Sequence, residues 1–310
     1  MRRGLSAAAL LRVQEAVAPN ARVVRVRPLR GGISSSVHLV HLATSTGERE
    51  AVVVRRHGAY VQEHDPLASD REYRLLSVLA RLYQPVPRPL LREPLNSVFD
   101  APTVVMTRIA GRPLLAPRDI ADYVRQLALA LVNLHHLPLE EFTFLPDQRA
   151  DIERALNPER APNGDPLQEA IFLQAQGLWP SVTSPRRTLL HGDYWPGNVL
   201  FRRGTLVGIV DWEQARIGDP TRDVATCRGD LSILFGLGAA DAFQEAYLAA
   251  GGQVSHLDFW NLLVATWAVR EIREWATVYP HLGRSDLSPE LAEQRIRAFA
   301  SAALDATIQR

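Results

Sequence analysis

The chain has 310 residues, of which 46% are hydrophobic and 22% charged, and a formal net charge of +1. That composition excludes a disordered or fibrous chain, and the near-zero charge offers no footprint for nucleic acid or an anionic membrane surface. All 35 basic side chains are arginine, because the sequence contains no lysine.

Residues 1–11 are basic and then apolar, the outline of a signal peptide. Arg12, Gln14 and Glu15 cut that run short, and Ala7, Leu10, Leu11, Ala16 and Val17 suit an amphipathic helix. No apolar stretch approaches the ~18–20 residues of a membrane span. Cys227 is the single cysteine, so no intrachain disulfide forms, and the expected setting is the reducing cytoplasm. Residues 22–27 alternate Val24 and Val26 with arginines, as a half-exposed strand does. A turn sequence, Gly31-Gly32-Ile33-Ser34-Ser35-Ser36, leads into an apolar strand over 37–43. Ser45-Thr46-Gly47-Glu48 then reads as a hairpin turn and 51–54 as the returning strand. Ser69 to Glu72 supply capping residues for a helix bearing Tyr73, Leu75, Leu76 and Leu79, and 103–107 forms one more short strand.

From Ile120 the pattern turns helical, with Tyr123, Val124, Leu127, Leu131 and Leu134 on one stripe. Residues 146–166, rich in proline, asparagine and charge, read as a surface excursion. Short strands interrupt over 189–218, and helical patterns resume from Cys227. His135-His136 reads as core or cap, since adjacent helical residues diverge by about 100°. The aromatics Phe259, Trp260, Trp267, Trp275 and Tyr279 suit either a core or a pocket wall. Arg270 to Glu274 form a solvated, paired helix face. A small sheet lobe followed by a helical lobe makes a cleft between them a natural ligand site.

The chemistry concentrates in His191-Gly192-Asp193-Tyr194-Trp195-Pro196-Gly197-Asn198, followed by Val210-Asp211-Trp212-Glu213. Phosphoryl transfer asks a protein to hold phosphates in line, offset their charge with metal, and position the attacking hydroxyl. Pro196 and Gly197 compact the turn between Asp193 and Asn198, and a hairpin around Arg202-Arg203-Gly204 brings the chain back at Asp211. Asn198 and Asp211 offer hard oxygen ligands suited to magnesium, which leaves Asp193 to accept the hydroxyl proton.

The pattern His-Gly-Asp, four residues, Asn, then Asp-Trp-Glu resembles the aminoglycoside phosphotransferase family of the protein-kinase-like superfamily. Gly218-Asp219-Pro220-Thr221-Arg222-Asp223 resembles that family's Gly-Asp-Pro-x-x-Asp segment, and the likeness extends from Leu29 to about Leu263. The resemblance implies an α+β fold with two lobes and a catalytic cleft between them. The antiparallel-sheet N-lobe spans 1–107 and the larger, mostly helical C-lobe 108–310. It implies Asp193 as catalytic aspartate, Asn198 and Asp211 as magnesium ligands, and His191, Asp219 and Asp223 as loop-structuring residues. On the nucleotide side it implies Gly31, Gly32, Ser34 and Ser35 at the phosphates, and a hinge through Thr107 and Ile109 at the base. Glu72 corresponds to the helix glutamate that pairs with a basic residue on the third strand, and Arg55 stands where lysine is usual. Glu213 fits either a water-bridged second metal or a solvated position.

The activity implied is transfer of the γ-phosphoryl of ATP or GTP, with Mg2+, to a small-molecule hydroxyl acceptor, with no nucleic-acid or membrane partner. Nothing specifies an oligomeric state. A nucleotide-binding regulator without transfer activity is the alternative, suggested by the missing lysine. Protein-kinase activity is a third reading, disfavoured by Asp-Trp-Glu in place of Asp-Phe-Gly and by the lack of Ala-Pro-Glu.

Overall fold

A computed structural model describes residues 4–29, 35–83, 85–95 and 97–308. The chain divides into two compact units: Met1–Ala110 with Gly208–Glu213, and Gly111–Val207 with Gln214–Arg310. The first unit therefore takes in a short segment, containing Asp211 and Glu213, that a single cut at 107/108 assigns to the helical half.

The first unit contains α1 (Ala7–Val17), β1 (Ala21–Leu29), β2 (Ser35–Thr44), β3 (Arg49–His57), α2 (Ala59–His64), α3 (Ala68–Leu82), β4 (Pro89–Glu93) and β5 (Thr103–Thr107). The strands form one antiparallel sheet in the order β1-β2-β3-β5-β4. Val40, Leu42, Val52, Val54 and Val105 line one face and close over Ala9 and Val13 of α1. Leu11, expected on the apolar side of α1, is 53% exposed instead. A bulge between Val23 and Arg25 shifts the β1 alternation, so Val23 and Val26 reach the core while Val24 faces outward. The capping residues expected for α3 lie inside its first turn, because the helix starts at Ala68 with no side-chain cap.

The second unit contains β6 (Arg112–Pro113), α4 (Ile120–His135), α5 (Arg149–Ala155), α6 (Pro166–Leu178), β7 (Thr188–Leu190), β8 (Val199–Arg202), β9 (Thr205–Ile209, whose last two residues belong to the first unit), β10 (Arg216–Gly218), α7 (Thr221–Phe235), α8 (Leu237–Ala249), α9 (Leu257–Trp275) and α10 (Pro289–Ile308). Asp119 caps α4 by accepting from the Asp122 amide at 2.9 Å. Arg203 and Gly204 both have positive φ, the backbone a tight hairpin needs between β8 and β9. Phe259, Trp260 and Tyr279 are core, packed with Leu262, Ile272 and Ile296, whereas Trp267 and Trp275 are only partly buried. Each fully buried large side chain contributes about 1.5–3 kcal/mol, so packing rather than propensity holds α9 in place. Among the described residues no helix is long and apolar enough to cross a membrane.

Candidate active site

In the second unit, the loop from His191 to Asn198 follows β7, which pairs antiparallel with β10 through Leu190↔Arg216 and Thr188↔Gly218. Asp223, buried in the first turn of α7, accepts the His191 amide at 2.7 Å and the Gly192 amide at 2.9 Å. Burial pushes its carboxyl pKa up, but His135, His191 and these amides outweigh that and hold it below the ordinary carboxylate value. His135 is buried, with Nδ1 2.8 Å from the Tyr247 hydroxyl and Nε2 3.3 Å from Asp223. Asp219 accepts from the Thr221 amide at 2.8 Å and from the Ser255 hydroxyl at 2.8 Å.

Gly192 has φ +83°, and a Cβ there would sit 2.0 Å from the Gln214 carbonyl oxygen, so no other residue fits. His191 Nδ1 accepts from the Asp193 amide at 3.3 Å. The Tyr194 hydroxyl donates to the Leu127 carbonyl at 2.9 Å, tying the loop to α4. Asn198 Nδ2 donates to the Asp193 carbonyl at 3.0 Å and to Asp193 Oδ2 at 2.9 Å. The Asn198 amide oxygen has no partner among the described residues.

In the first unit, alternation along β3 sends Val52 and Val54 into the core and Arg55 to the opposite face. Glu72, Leu75, Leu76 and Leu79 share one stripe of α3, so the glutamate is buried with the leucines and requires a partner. Arg55, 6% exposed, is that partner: Nη1 donates to Glu72 at 3.0 Å, Nη2 to Asp211 at 2.7 Å, and Nε to the Ser35 hydroxyl at 3.3 Å. Nη2 also contacts Glu213, which accepts from Ser35 at 3.1 Å and is paired rather than solvated. His57 Nε2 lies 3.0 Å from the second Glu72 oxygen. Burial alone would lower the Arg55 pKa; Asp211, Glu72 and Glu213 reverse this and raise it.

Three carboxylates around one guanidinium leave two negative charges in excess, and Asp211 Oδ2 has no partner among the described residues. Among those residues no group of three or more His, Cys, Asp or Glu side chains could hold a metal by itself. The unpartnered Asn198 amide oxygen and Asp211 Oδ2 are hard donors of the kind magnesium takes, one or two from a protein with phosphates and water completing its shell. Gly31, Gly32 and Ser34 lie outside the described residues. The Thr107 amide is engaged with the Arg88 carbonyl at 2.8 Å and so is not free to read a base. Among the described residues the Ile109 amide has no partner, and the Ile109 side chain packs over Gly208.

Three residues near this loop are not evident from sequence. His135 reads as core or cap, and its contact to Asp223 appears only in the fold. Arg222 falls within the Gly-Asp-Pro-x-x-Asp segment, which gives it no role by itself. Asp230, seven residues after Asp223 and so on the same side of α7, was not singled out, although that spacing is readable.

A five-stranded antiparallel sheet with one long helix, followed by a helical unit carrying this loop, defines a kinase-like phosphotransferase fold. The sequence profile of the phosphotransferase enzyme family (APH) matches residues 25–263, and the chain belongs to that family. It is 28% identical to viomycin phosphotransferase of Streptomyces vinaceus over 208 residues, 59% of this chain and 71% of that protein. A Ralstonia eutropha protein assigned as an aminoglycoside phosphotransferase superposes with a TM-score of 0.67 at 17% identity, covering 97% and 98% of the two chains. A thermostable aminoglycoside phosphotransferase variant, solved as a ternary complex with ADP and hygromycin B, superposes at 0.61 with 15% identity, covering 95% and 97%.

Proposed function

We propose that this phosphotransferase is an ATP-dependent small-molecule kinase that moves the γ-phosphoryl group to an acceptor hydroxyl. The observation that carries the reading is the Asp193 carboxylate, fixed by Asn198 at 2.9 Å on a loop whose amides are gripped by Asp223. As the acceptor oxygen bonds to the γ-phosphorus, the bond from that phosphorus to the β-bridging oxygen breaks and ADP departs. The hydroxyl proton passes to Asp193. Asn198 and Asp211 would hold magnesium, which would supply positive charge to offset the phosphates. Ser35 and Arg55 serve the phosphate side, and the Ile109 amide the base. Structural neighbours that hold ADP or GDP support a purine nucleotide as the donor, ATP or GTP.

The alternative of a regulator without transfer activity rests on the missing lysine. Arg55 keeps a cation against Glu72, which favours transfer. The test incubates the protein with Mg–ATP and a panel of viomycin, macrolides, aminoglycosides, amino alcohols, amino acids and sugars, read by mass spectrometry. Asp193→Asn is expected to abolish the phosphorylated product while nucleotide still binds. Full activity in that variant would remove Asp193 from its role.

A further inference from the structure

In the second unit, Arg222, close to the loop that carries Asp193, forms no ion pair among the described residues. Arg222 follows Thr221 in the first turn of α7, beside the Asp223 carboxylate that holds the His191 and Gly192 amides. Its guanidinium carbon lies 4.5 Å from the centre of the Trp267 ring, so the flat face of the fork is stacked on indole. Its Nε is buried and has no hydrogen-bond partner. No side chain or carbonyl among the described residues accepts from this guanidinium.

The acids within electrostatic reach are Asp223, Asp151 and Asp193. Each is engaged elsewhere: Asp223 by two amides and His135, Asp151 by Arg216 at 2.7 Å, and Asp193 by Asn198. A half-buried guanidinium without an ion pair is held at a free-energy cost, and a fork fixed by stacking, with no hydrogen-bond acceptor among the described residues, is able to grip a carboxylate in two-point fashion. Asp230, on the same helix, has its carboxyl pKa pushed up by burial and by the charge of Asp193.

Building on the transfer reading above, we infer that the acceptor is a hydroxy acid, its carboxylate held by Arg222 against Trp267 while its hydroxyl is presented to Asp193. One fork matches a single negative charge. A dianionic phosphate would meet the negative charge of Asp193 and leave one charge unmatched by this fork, and a polycation would be repelled by the fixed charge of Arg222.

The test uses the intact protein with Mg–ATP and matched acceptors: N-acetyl-L-serine against N-acetyl-L-serinamide, N-acetyl-L-homoserine against its amide, D-glycerate against glycerol, and gluconate against glucose. At least one acid is expected to yield phosphorylated product with kcat/KM ~10-fold or more above its uncharged partner. Arg222→Gln is expected to raise KM for that acid ~100-fold with little change in kcat, and Arg222→Lys to recover part of the loss. The matched pairs read the same property on the unaltered protein, and a melting curve checks that each variant is folded. Equal use of acid and uncharged partner, or an unmoved KM in Arg222→Gln, overturns the inference and leaves the transfer reading intact. Absence of product in every acid arm also overturns it. If in addition no acceptor of any class consumes ATP, the transfer reading falls separately.

Discussion

Asp223 spends both of its carboxylate oxygens on consecutive amides, those of His191 and Gly192, two residues and one residue before Asp193. The acid that braces the loop and the acid proposed to act on substrate are therefore linked through a few backbone atoms. Asp223→Asn keeps the shape but turns an NH2 group toward one amide donor. The expected outcome is a loss of about 2–4 kcal/mol in urea unfolding and a kcat lowered by ~10-fold or more.

Gly192 gives a harder version of the same test. Alanine there would place a methyl group against the Gln214 carbonyl oxygen in a backbone region that L-residues avoid. Gly192→Ala is expected to cost about 3 kcal/mol or more, with melting temperature and activity falling together.

Arg55 holds three carboxylates, so its removal leaves buried charge behind. Arg55→Met is expected to destabilise the protein by about 3–5 kcal/mol and to weaken Mg–ATP binding, with Arg55→Lys intermediate. Burial raises the Glu72 pKa, but Arg55 and His57 more than reverse this, and the folded value is depressed. A depressed carboxyl stabilises above its unfolded pKa of about 4.3 and loses that contribution as pH falls through the folded value. Acid unfolding should therefore begin at higher pH in Arg55→Met than in the unaltered protein.

Asp230 predicts the opposite sign. Its folded pKa is raised, first by burial and then by Asp193. Its favourable contribution is complete below the unfolded value of about 3.9 and disappears as pH rises through the folded value. Asp230→Asn should be near neutral at pH 4 and more stable than the unaltered protein at pH 8. A difference that shrinks with rising pH would show that the carboxylate is stabilised in the folded state.

Much of this is legible in the sequence. The stripe through Ile120 and Leu134 marks α4, 103–107 is β5 without adjustment, and the compact turn between Asp193 and Asn198 brings their side chains together, while the bond from Asp223 to the His191 amide has the loop-bracing form the family resemblance implies. What sequence withheld depends on backbone detail. Val24 reads as inward until the bulge beside it reverses its side, and Ser69 reads as a cap until α3 begins one residue earlier. The short helix α2 and the strand β4 carry no strong period and went unread. Arg222 is invisible as a site because a lone arginine means little until the residue it stacks on, 45 positions away at Trp267, is known.

The single thiol has a further use. Cys227 is fully buried in α7, the helix that also carries Asp223, Arg222 and Asp230, and burial raises its pKa well above the usual thiol value. A thiol reagent can reach it only when that helix opens, so its labelling rate under native conditions is a clock for local unfolding at one position. Compounds that occupy the acceptor side should slow the clock, giving a ligand screen that needs neither nucleotide nor turnover.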